Sequence, residues 1–175
     1  LNEKTSEAII LILMSASGFF LMVDAENLIM LFIGLEIGSI SLYALAGLNR
    51  RDKLSNEASL KYFLLGSLAS CIFIYGVALV YVSYSLMSVY DFALAIAYTG
   101  PDLIPLTTFI GVLLIFVGLL FKIAAAPFQS WAPDVYQGSP TGYVGYMASI
   151  VKAASFIVIA RVCTVSYTHL RAHET

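Results

Sequence analysis

The sequence predicts an all-α protein that crosses a membrane several times. Its 175 residues are 60% apolar and only 11% charged, whereas soluble domains carry about 25% charged residues. The apolar residues form five long runs, each near the roughly 20 residues that a helix needs to cross the hydrocarbon core. This pattern is typical of a polytopic membrane protein and not of a soluble domain with one buried core.

Short polar junctions separate the five predicted spans, which we place at residues 6–23, 27–48, 58–84, 105–137 and 142–163. The fourth span is expected to be discontinuous around Lys122–Pro127, with a second half-helix within residues 128–136. A short interfacial helix is expected at residues 89–98. Together, residues 1–164 are assigned to one partial transmembrane domain.

The distribution of basic residues predicts the orientation of the chain. Arg50, Arg51 and Lys53 lie in the loop between the second and third spans, while residues 85–104 contain no lysine or arginine. Basic loops are retained on the cytoplasmic side. We therefore expect this basic loop inside a bacterial cell, or on the matrix side of a mitochondrion, and residues 85–104 outside.

The fourth span combines a lysine with a helix break. Lys122 precedes Pro127 by five residues, and a proline removes a backbone donor and frees the carbonyl four residues back, at Ile123. A charge beside a helix break in a bilayer usually lines a cavity. The alternative is a buried charge with only a structural role.

Two more charged residues, Glu36 and Lys152, lie near the middle of the second and fifth spans. Ionisable groups at that depth usually mark ion pathways, and helical spacing places Ser39 and Tyr43 on the face of Glu36. Burial disfavours the charged form of a lysine and a nearby carboxylate favours it. We therefore predict that Glu36 and Lys122 form a pair with switchable proton affinity, and that Lys152 is the next station of a proton relay.

Glycines recur on the spans that carry these charges. Gly34 and Gly38 form a G-x-x-x-G pattern in the second span, Gly111 and Gly118 share a side of the fourth span with the lysine, and Gly145 shares a face of the fifth. Small residues let helices approach closely. Ordinary helix packing explains the glycines, whereas the accompanying charges favour a shared polar interior.

Three polar residues near the ends of spans have two interpretations each. Glu57 and Lys61 are spaced i, i+4 at the start of the third span. They are interpreted either as a helix-entry ion pair or as a proton entry point on the cytoplasmic side. Asp134 follows the break and is interpreted as a structural residue that ends a half-helix, the alternative being a functional carboxylate.

Residues 165–175, VSYTHLRAHET, are polar and unlike the preceding sequence. We interpret them as a non-native tail that resembles a translated sequencing adapter; the alternative is a genuine polar tail. Both histidines, His169 and His173, lie there, and the two cysteines, Cys71 and Cys163, lie in apolar runs. The remaining chain therefore predicts no His/Cys metal site and no Ser–His or Cys–His nucleophile.

Three motifs are specific enough to indicate a family. LFIGLEIGSISLYALAGL (31–48), EASLKYFLLGSLAS (57–70) and FKIAAAPFQSWAPDVYQGSPT (121–141) resemble the subunit N family of NADH–quinone oxidoreductase, respiratory complex I. The resemblance covers almost all of residues 1–164 in family order. It implies the antiporter-like fold of two five-helix inverted repeats, with these five spans forming the first repeat.

By this resemblance, Glu36, Lys122 and Lys152 match the family's proton-relay residues, and Glu57 and Lys61 match a further pair. The resemblance implies H⁺ translocation coupled to electron transfer elsewhere, with no cofactor in this chain: NADH, FMN, iron–sulfur clusters and quinone would belong to other subunits. It implies the other membrane subunits of complex I as partners, especially subunit M and the small membrane subunits, together with the lipid bilayer. The expected location is a bacterial inner membrane, or else an organelle inner or thylakoid membrane.

Two positions depart from the family pattern. Gln129 stands where the family usually has histidine, and Gly142 where another proline is common. Two other functions remain open: an Mrp-type Na⁺/H⁺ antiporter subunit, which would use the same residues, and a non-catalytic membrane scaffold. Nucleic acid is not an expected partner, because the basic residues form no sustained patch.

Overall fold

A computed structural model of the chain describes residues 3–99 and 103–172, without the side chains of Ala97 and of residues 163–172. These residues form helices α1 (Glu3–Asp24), α2 (Leu28–Ala46), α3 (Lys53–Tyr84), α4 (Val89–Thr99), α5 (Leu106–Lys122), α6 (Ala132–Gly138) and α7 (Thr141–Ala172). Helices α1, α2, α3 and α7 are long and apolar enough to cross a membrane, and α5 is a shorter apolar helix. The predicted all-α polytopic fold is confirmed.

The polar junctions begin the helices that follow them. Asn27 accepts a hydrogen bond from the Ile29 backbone N–H at the start of α2, and Asp52 accepts one from the Leu54 N–H at the start of α3. Each side chain satisfies a donor that has no partner within its helix. Because Asp52 caps α3, this helix begins at Lys53, earlier than the predicted start at residue 58.

Backbone hydrogen bonds join the junctions at one end of the helices, and a side-chain ion pair holds the basic loop at the other. At one end, Leu28 N–H donates to the Met87 carbonyl and Val89 N–H to the Glu26 carbonyl, both at 2.9 Å. At the other end, Arg50 lies 3.4 Å from Glu7. Residues 24–28 and 85–89 thus lie at one end and the basic loop at the opposite end, as the alternating topology requires.

The glycines of α2 and α5 allow close helix packing, as predicted. A Cβ on Gly34 would lie 2.5 Å from the Met22 backbone nitrogen on α1, and one on Gly118 would lie 2.7 Å from Phe73 Cβ on α3. A Cβ on Gly145 would meet no described atom within 4 Å. The glycine face of α2 therefore packs on α1, while the fifth-span glycine contributes no close packing among the described residues.

The fourth span is broken, but its second half begins later than predicted. Helix α5 ends at Lys122, Ala124 has a left-handed φ of 55°, and α6 starts at Ala132 instead of residue 128. The nitrogen of Pro127 cannot donate to the Ile123 carbonyl, and the residue before a proline disfavours helical geometry. Residues 123–131 therefore form turns, including a Phe128 N–H to Ala125 carbonyl bond of 2.6 Å.

The last helix extends beyond the predicted fifth span. Helix α7 continues to Ala172, whereas the span was predicted to end at residue 163. The side chains of Cys163 and His169, and the whole of His173, lie outside the described residues. The interpretation of residues 165–175 as a non-native tail stays a prediction. The interfacial helix is confirmed as a helix, α4.

Candidate functional site

The Lys122 side chain is buried at the carboxyl end of α5. It is only 4% exposed, and its ammonium donates to Ser39 Oγ and to the Tyr43 hydroxyl, each at 3.0 Å. Both acceptors lie on α2, on the helical face predicted to carry Glu36. A charged side chain of one span is thus held by two neutral hydroxyl groups of another.

Two further features favour a cation at this position. Lys122 lies in the last turn of α5, where the partial negative charge of the helix end attracts a positive group. Its nitrogen also lies 5.6 Å from the centre of the Tyr43 ring, within the range of a cation–π contact. Within the part of the chain that the structure describes, the ammonium is therefore stabilised by two hydroxyl groups, a helix end and an aromatic ring, and not by a carboxylate in direct contact.

The Glu36 carboxylate is half-buried and bonds to a third helix. Its Oε1 accepts a hydrogen bond from Ser70 Oγ on α3. Among the described residues no ion pair joins Glu36 to Lys122. The predicted pair is therefore arranged without an ion pair: the Glu36 carboxylate of α2 bonds to α3, and the Lys122 ammonium of α5 bonds to two hydroxyl groups of α2.

Lys152 is half-buried on α7 and makes no hydrogen bond or ion pair among the described residues. Its predicted face partner Ser149 is exposed and bonds to the Gly145 carbonyl of its own helix at 2.7 Å. The buried side of α7 instead contains Met147 and Val151. No described contact connects Lys152 to Glu36 or Lys122.

Lys61 binds two carboxylates at once. Its nitrogen lies 2.7 Å from Glu57 Oε1 on the same helix and 2.7 Å from Asp134 Oδ2 on α6. Asp134 lies in the first turn of α6, where a carboxylate is favoured by the helix dipole. It therefore lies near the start of this helix, which corrects the expectation that it ends a half-helix. A cavity of about 130 Å³ is lined by these three residues, Gln137 and Gly138, among others.

Trp131 is a site residue that helical periodicity does not reveal. Its side chain is 3% exposed, and its indole N–H donates to the Phe121 carbonyl at 3.1 Å. This carbonyl also accepts a hydrogen bond from the Ala124 backbone N–H at 3.0 Å, so the indole is a second donor that links Trp131 to the end of α5. The signal in the sequence is that the single tryptophan of the chain, with one N–H donor, follows the break.

Aromatic rings connect the break to the Lys122 site. The Trp131 ring stacks on Phe121 at 5.7 Å and on Tyr62 at 4.8 Å between centroids. Tyr62 contacts Tyr43 edge to face at 4.7 Å. The ring of Tyr43, whose hydroxyl accepts the hydrogen bond of Lys122, is therefore packed against the aromatic stack at the break. Within the described residues, no group of His, Cys, Asp and Glu side chains could hold a metal ion.

Comparison with known proteins gives a consistent result. Residues 25–173 match a family model described as the transmembrane region of NADH:quinone oxidoreductase and Mrp antiporters. The chain is 48% identical to NADH-quinone oxidoreductase subunit N 1 of Chloroherpeton thalassium over 149 residues, which are 85% of this chain and 31% of the relative.

Two solved structures share the fold. A chain of respiratory complex I from Thermus thermophilus superposes with a TM-score of 0.76 at 41% identity, over 89% of this chain and 34% of that chain. A chain of the archaeal membrane-bound sulfane sulfur reductase gives 0.77 at 29% identity, over 93% and 33%. The present chain thus spans about a third of the length of the proteins it matches.

Proposed function

The chain belongs to the NADH:quinone oxidoreductase/Mrp antiporter transmembrane family, and we propose that it is part of a complex I subunit N that moves H⁺ across a bacterial inner membrane. Relatives named NADH-quinone oxidoreductase subunit N, at 48% and 47% identity, support this assignment over an antiporter subunit. In this proposal the chain is a translocase component that binds no NADH, FMN, iron–sulfur cluster or quinone. Its partners are other membrane subunits of the complex, including subunit M.

The burial of Lys122 between neutral hydroxyl groups is the observation that carries the proposal. An ammonium in a bilayer interior is costly, and Ser39 and Tyr43 supply dipoles but no compensating charge. The charge state of such a lysine depends strongly on whether a carboxylate is near. Glu36 lies on the same side of α2, so an approach of its carboxylate favours proton uptake and a withdrawal favours release.

The other charged groups extend this path in both directions. Glu57 and Lys61 lie close to the end of the molecule that carries the basic loop, so they are candidates for proton entry from the cytoplasm. Lys152 on α7 is the candidate acceptor after Lys122, and it requires water or a side-chain movement to reach the relay. In this scheme the hydrogen bond from Ser70 holds the Glu36 carboxylate in the withdrawn position, away from Lys122.

Lys122→Met in the full-length subunit, assembled in its membrane complex, tests the function. This substitution keeps a long unbranched side chain and removes the protonatable group. We expect H⁺ translocation per quinone reduced, measured in sealed vesicles, to fall to background levels. Lys53→Met, at the exposed first residue of α3, is the matched control. Normal translocation by an assembled Lys122→Met complex contradicts the proposal and favours a scaffold.

A further inference from the structure

We propose that Lys61 and Asp134 form an ion-pair clasp between α3 and α6 that positions the helix break, and with it the Lys122 ammonium. The two residues are then positioning residues for the site and not only stations for a proton. This inference rests on the proposed function, because positioning Lys122 matters only if this lysine transfers protons. The clasp itself rests on the 2.7 Å contact between Lys61 Nζ and Asp134 Oδ2.

The clasp is distinguished from an ordinary helix-surface pair by the element it reaches. Lys61 lies 2.7 Å from both Glu57 and Asp134, but Glu57 is on its own helix, so only the bond to Asp134 joins two elements. The side chains of Lys61, Glu57 and Asp134 are 41%, 58% and 54% exposed. Solvated ion pairs contribute little net stability, so this bond can open and close and does not act as permanent packing.

Helix α6 depends on its contacts with the rest of the fold, which include the fully buried side chain of Val135. It contains only seven residues, Ala132–Gly138, and isolated helices of that length are unstable. It follows a stretch of turns and packs on α3, where a Cβ on Gly138 would come 2.5 Å from the Leu54 carbonyl oxygen. The clasp lies at the amino end of α6 and the Gly138 contact at its carboxyl end, so the two together fix its direction on α3.

Side-chain contacts lead from the clasp to Lys122 by two routes. Trp131 directly precedes α6, and its indole N–H bonds to the carbonyl of Phe121, the residue before Lys122. The Trp131 ring also stacks on Tyr62, the residue after Lys61. A displacement of α6 therefore changes the support of the α5 terminus through the first route.

The second route passes through the tyrosines. Tyr62 packs edge to face against Tyr43 at 4.7 Å, and Tyr43 accepts the hydrogen bond of Lys122. When the clasp opens, α6 and Trp131 move relative to Tyr62, so the packing of the Tyr43 ring changes as well. The end of α5 that carries Lys122 and the Tyr43 hydroxyl that accepts its hydrogen bond are therefore both coupled to α6.

The distance between α3 and α6 tests the clasp directly. Spin labels at Leu68→Cys on α3 and Gln137→Cys on α6, both exposed positions, are placed in the full-length subunit of the assembled complex after replacement of the native cysteines. Pulsed electron paramagnetic resonance then gives the distance distribution. We expect Asp134→Asn to lengthen and broaden it, and Glu57→Gln, the matched control, to leave it unchanged.

Glu57→Gln is a sharp control because it removes a carboxylate at the same distance from the same ammonium, but within one helix. Asp134→Glu and the exchanged pair Lys61→Asp with Asp134→Lys should restore the parental distance, which a purely local structural defect at either position does not predict. The inference is overturned if Asp134→Asn leaves the distribution unchanged in an assembled complex, or if Glu57→Gln shifts it equally.

Translocation measured on the same variants separates the two proposals. We expect Asp134→Asn to lower H⁺ translocation per quinone reduced at least severalfold, with recovery in the exchanged pair. Loss of translocation in Lys122→Met together with unchanged distances in Asp134→Asn refutes the clasp alone. Retained translocation in Lys122→Met refutes the proposed function, whatever the distances show.

Discussion

The Lys122 ammonium on α5 donates a 3.0 Å hydrogen bond to the hydroxyl of Tyr43 on α2. Tyr43 follows Glu36 by seven residues, which is two helical turns, so the neutral acceptor and the carboxylate share one side of the same helix. The lysine thus has a resting partner and a possible charged partner on one surface. In the proposed function, exchange between these two partners changes the proton affinity of the lysine.

Replacement of Tyr43 by phenylalanine should weaken proton transfer and leave the packing intact. The ring retains its contacts with Tyr62 and Phe63, and only the hydroxyl is lost. A hydrogen bond to a charged group contributes about 1.5–3 kcal/mol, which corresponds to roughly a tenfold or larger change in an equilibrium. We expect H⁺ translocation per quinone reduced to fall by about that factor. Tyr75→Phe, at an exposed position of α3, serves as the control, and equal translocation in both variants would refute the role of the hydroxyl.

Replacement of Ser70 by alanine should disturb the Glu36 carboxylate. Ser70 Oγ donates to the Glu36 carboxylate, so its removal leaves a half-buried carboxylate without its described donor. We expect a roughly tenfold loss of H⁺ translocation, by the same estimate for hydrogen bonds to charged groups, and recovery with Ser70→Thr. Ser67→Ala is the matched control, because Ser67 bonds only to the Leu64 carbonyl of its own helix. A translocation defect as large in the control would indicate a general effect on α3.

The hydroxyl groups around Lys122 could be predicted from the sequence, whereas its lack of an ion pair with Glu36 among the described residues could not. Helical periodicity converts spacings of three and seven residues into one face, so Ser39 and Tyr43 were expected beside Glu36, and both bind the lysine. The buried side of α5 with Gly111 and Gly118 follows from the same rule. Apolar run length also sufficed to predict the all-α membrane fold.

Periodicity does not predict contacts between separate helices or within irregular backbone. The Lys61–Asp134 contact joins residues 73 positions apart, and Trp131 lies in turns whose geometry depends on the break. The glycines at 34 and 38 flank Glu36 in sequence, but they face α1 while Glu36 bonds to α3. These relationships are set by tertiary packing, which a local sequence pattern does not predict.

Replacement of Trp131 by phenylalanine should release the end of α5. The aromatic stack with Tyr62 and Phe121 can persist, but the Phe121 carbonyl loses its indole donor. The Ala124 N–H still donates to this carbonyl, so the substitution removes one hydrogen bond, which contributes about 0.5–1.5 kcal/mol. We expect a lower thermal stability of the assembled subunit and reduced translocation. Tyr136→Phe, which retains the ring that contacts Trp131, should change neither property; equal stability of the Trp131→Phe and parental proteins would show that the bond is dispensable.

Replacement of Gly34 by alanine should separate α1 from α2. The added Cβ would lie 2.5 Å from the Met22 backbone nitrogen, and backbone cannot yield as a flexible side chain can, so the helices must move apart. Overpacking of this kind costs about 1–3 kcal/mol. We expect a lower unfolding temperature and less assembled complex. Gly145→Ala adds the same methyl group where no described atom lies within 4 Å, and alanine favours a helix by about 1 kcal/mol relative to glycine. Gly145→Ala should therefore be neutral or stabilising, and an equally stable Gly34→Ala protein would contradict close α1–α2 packing.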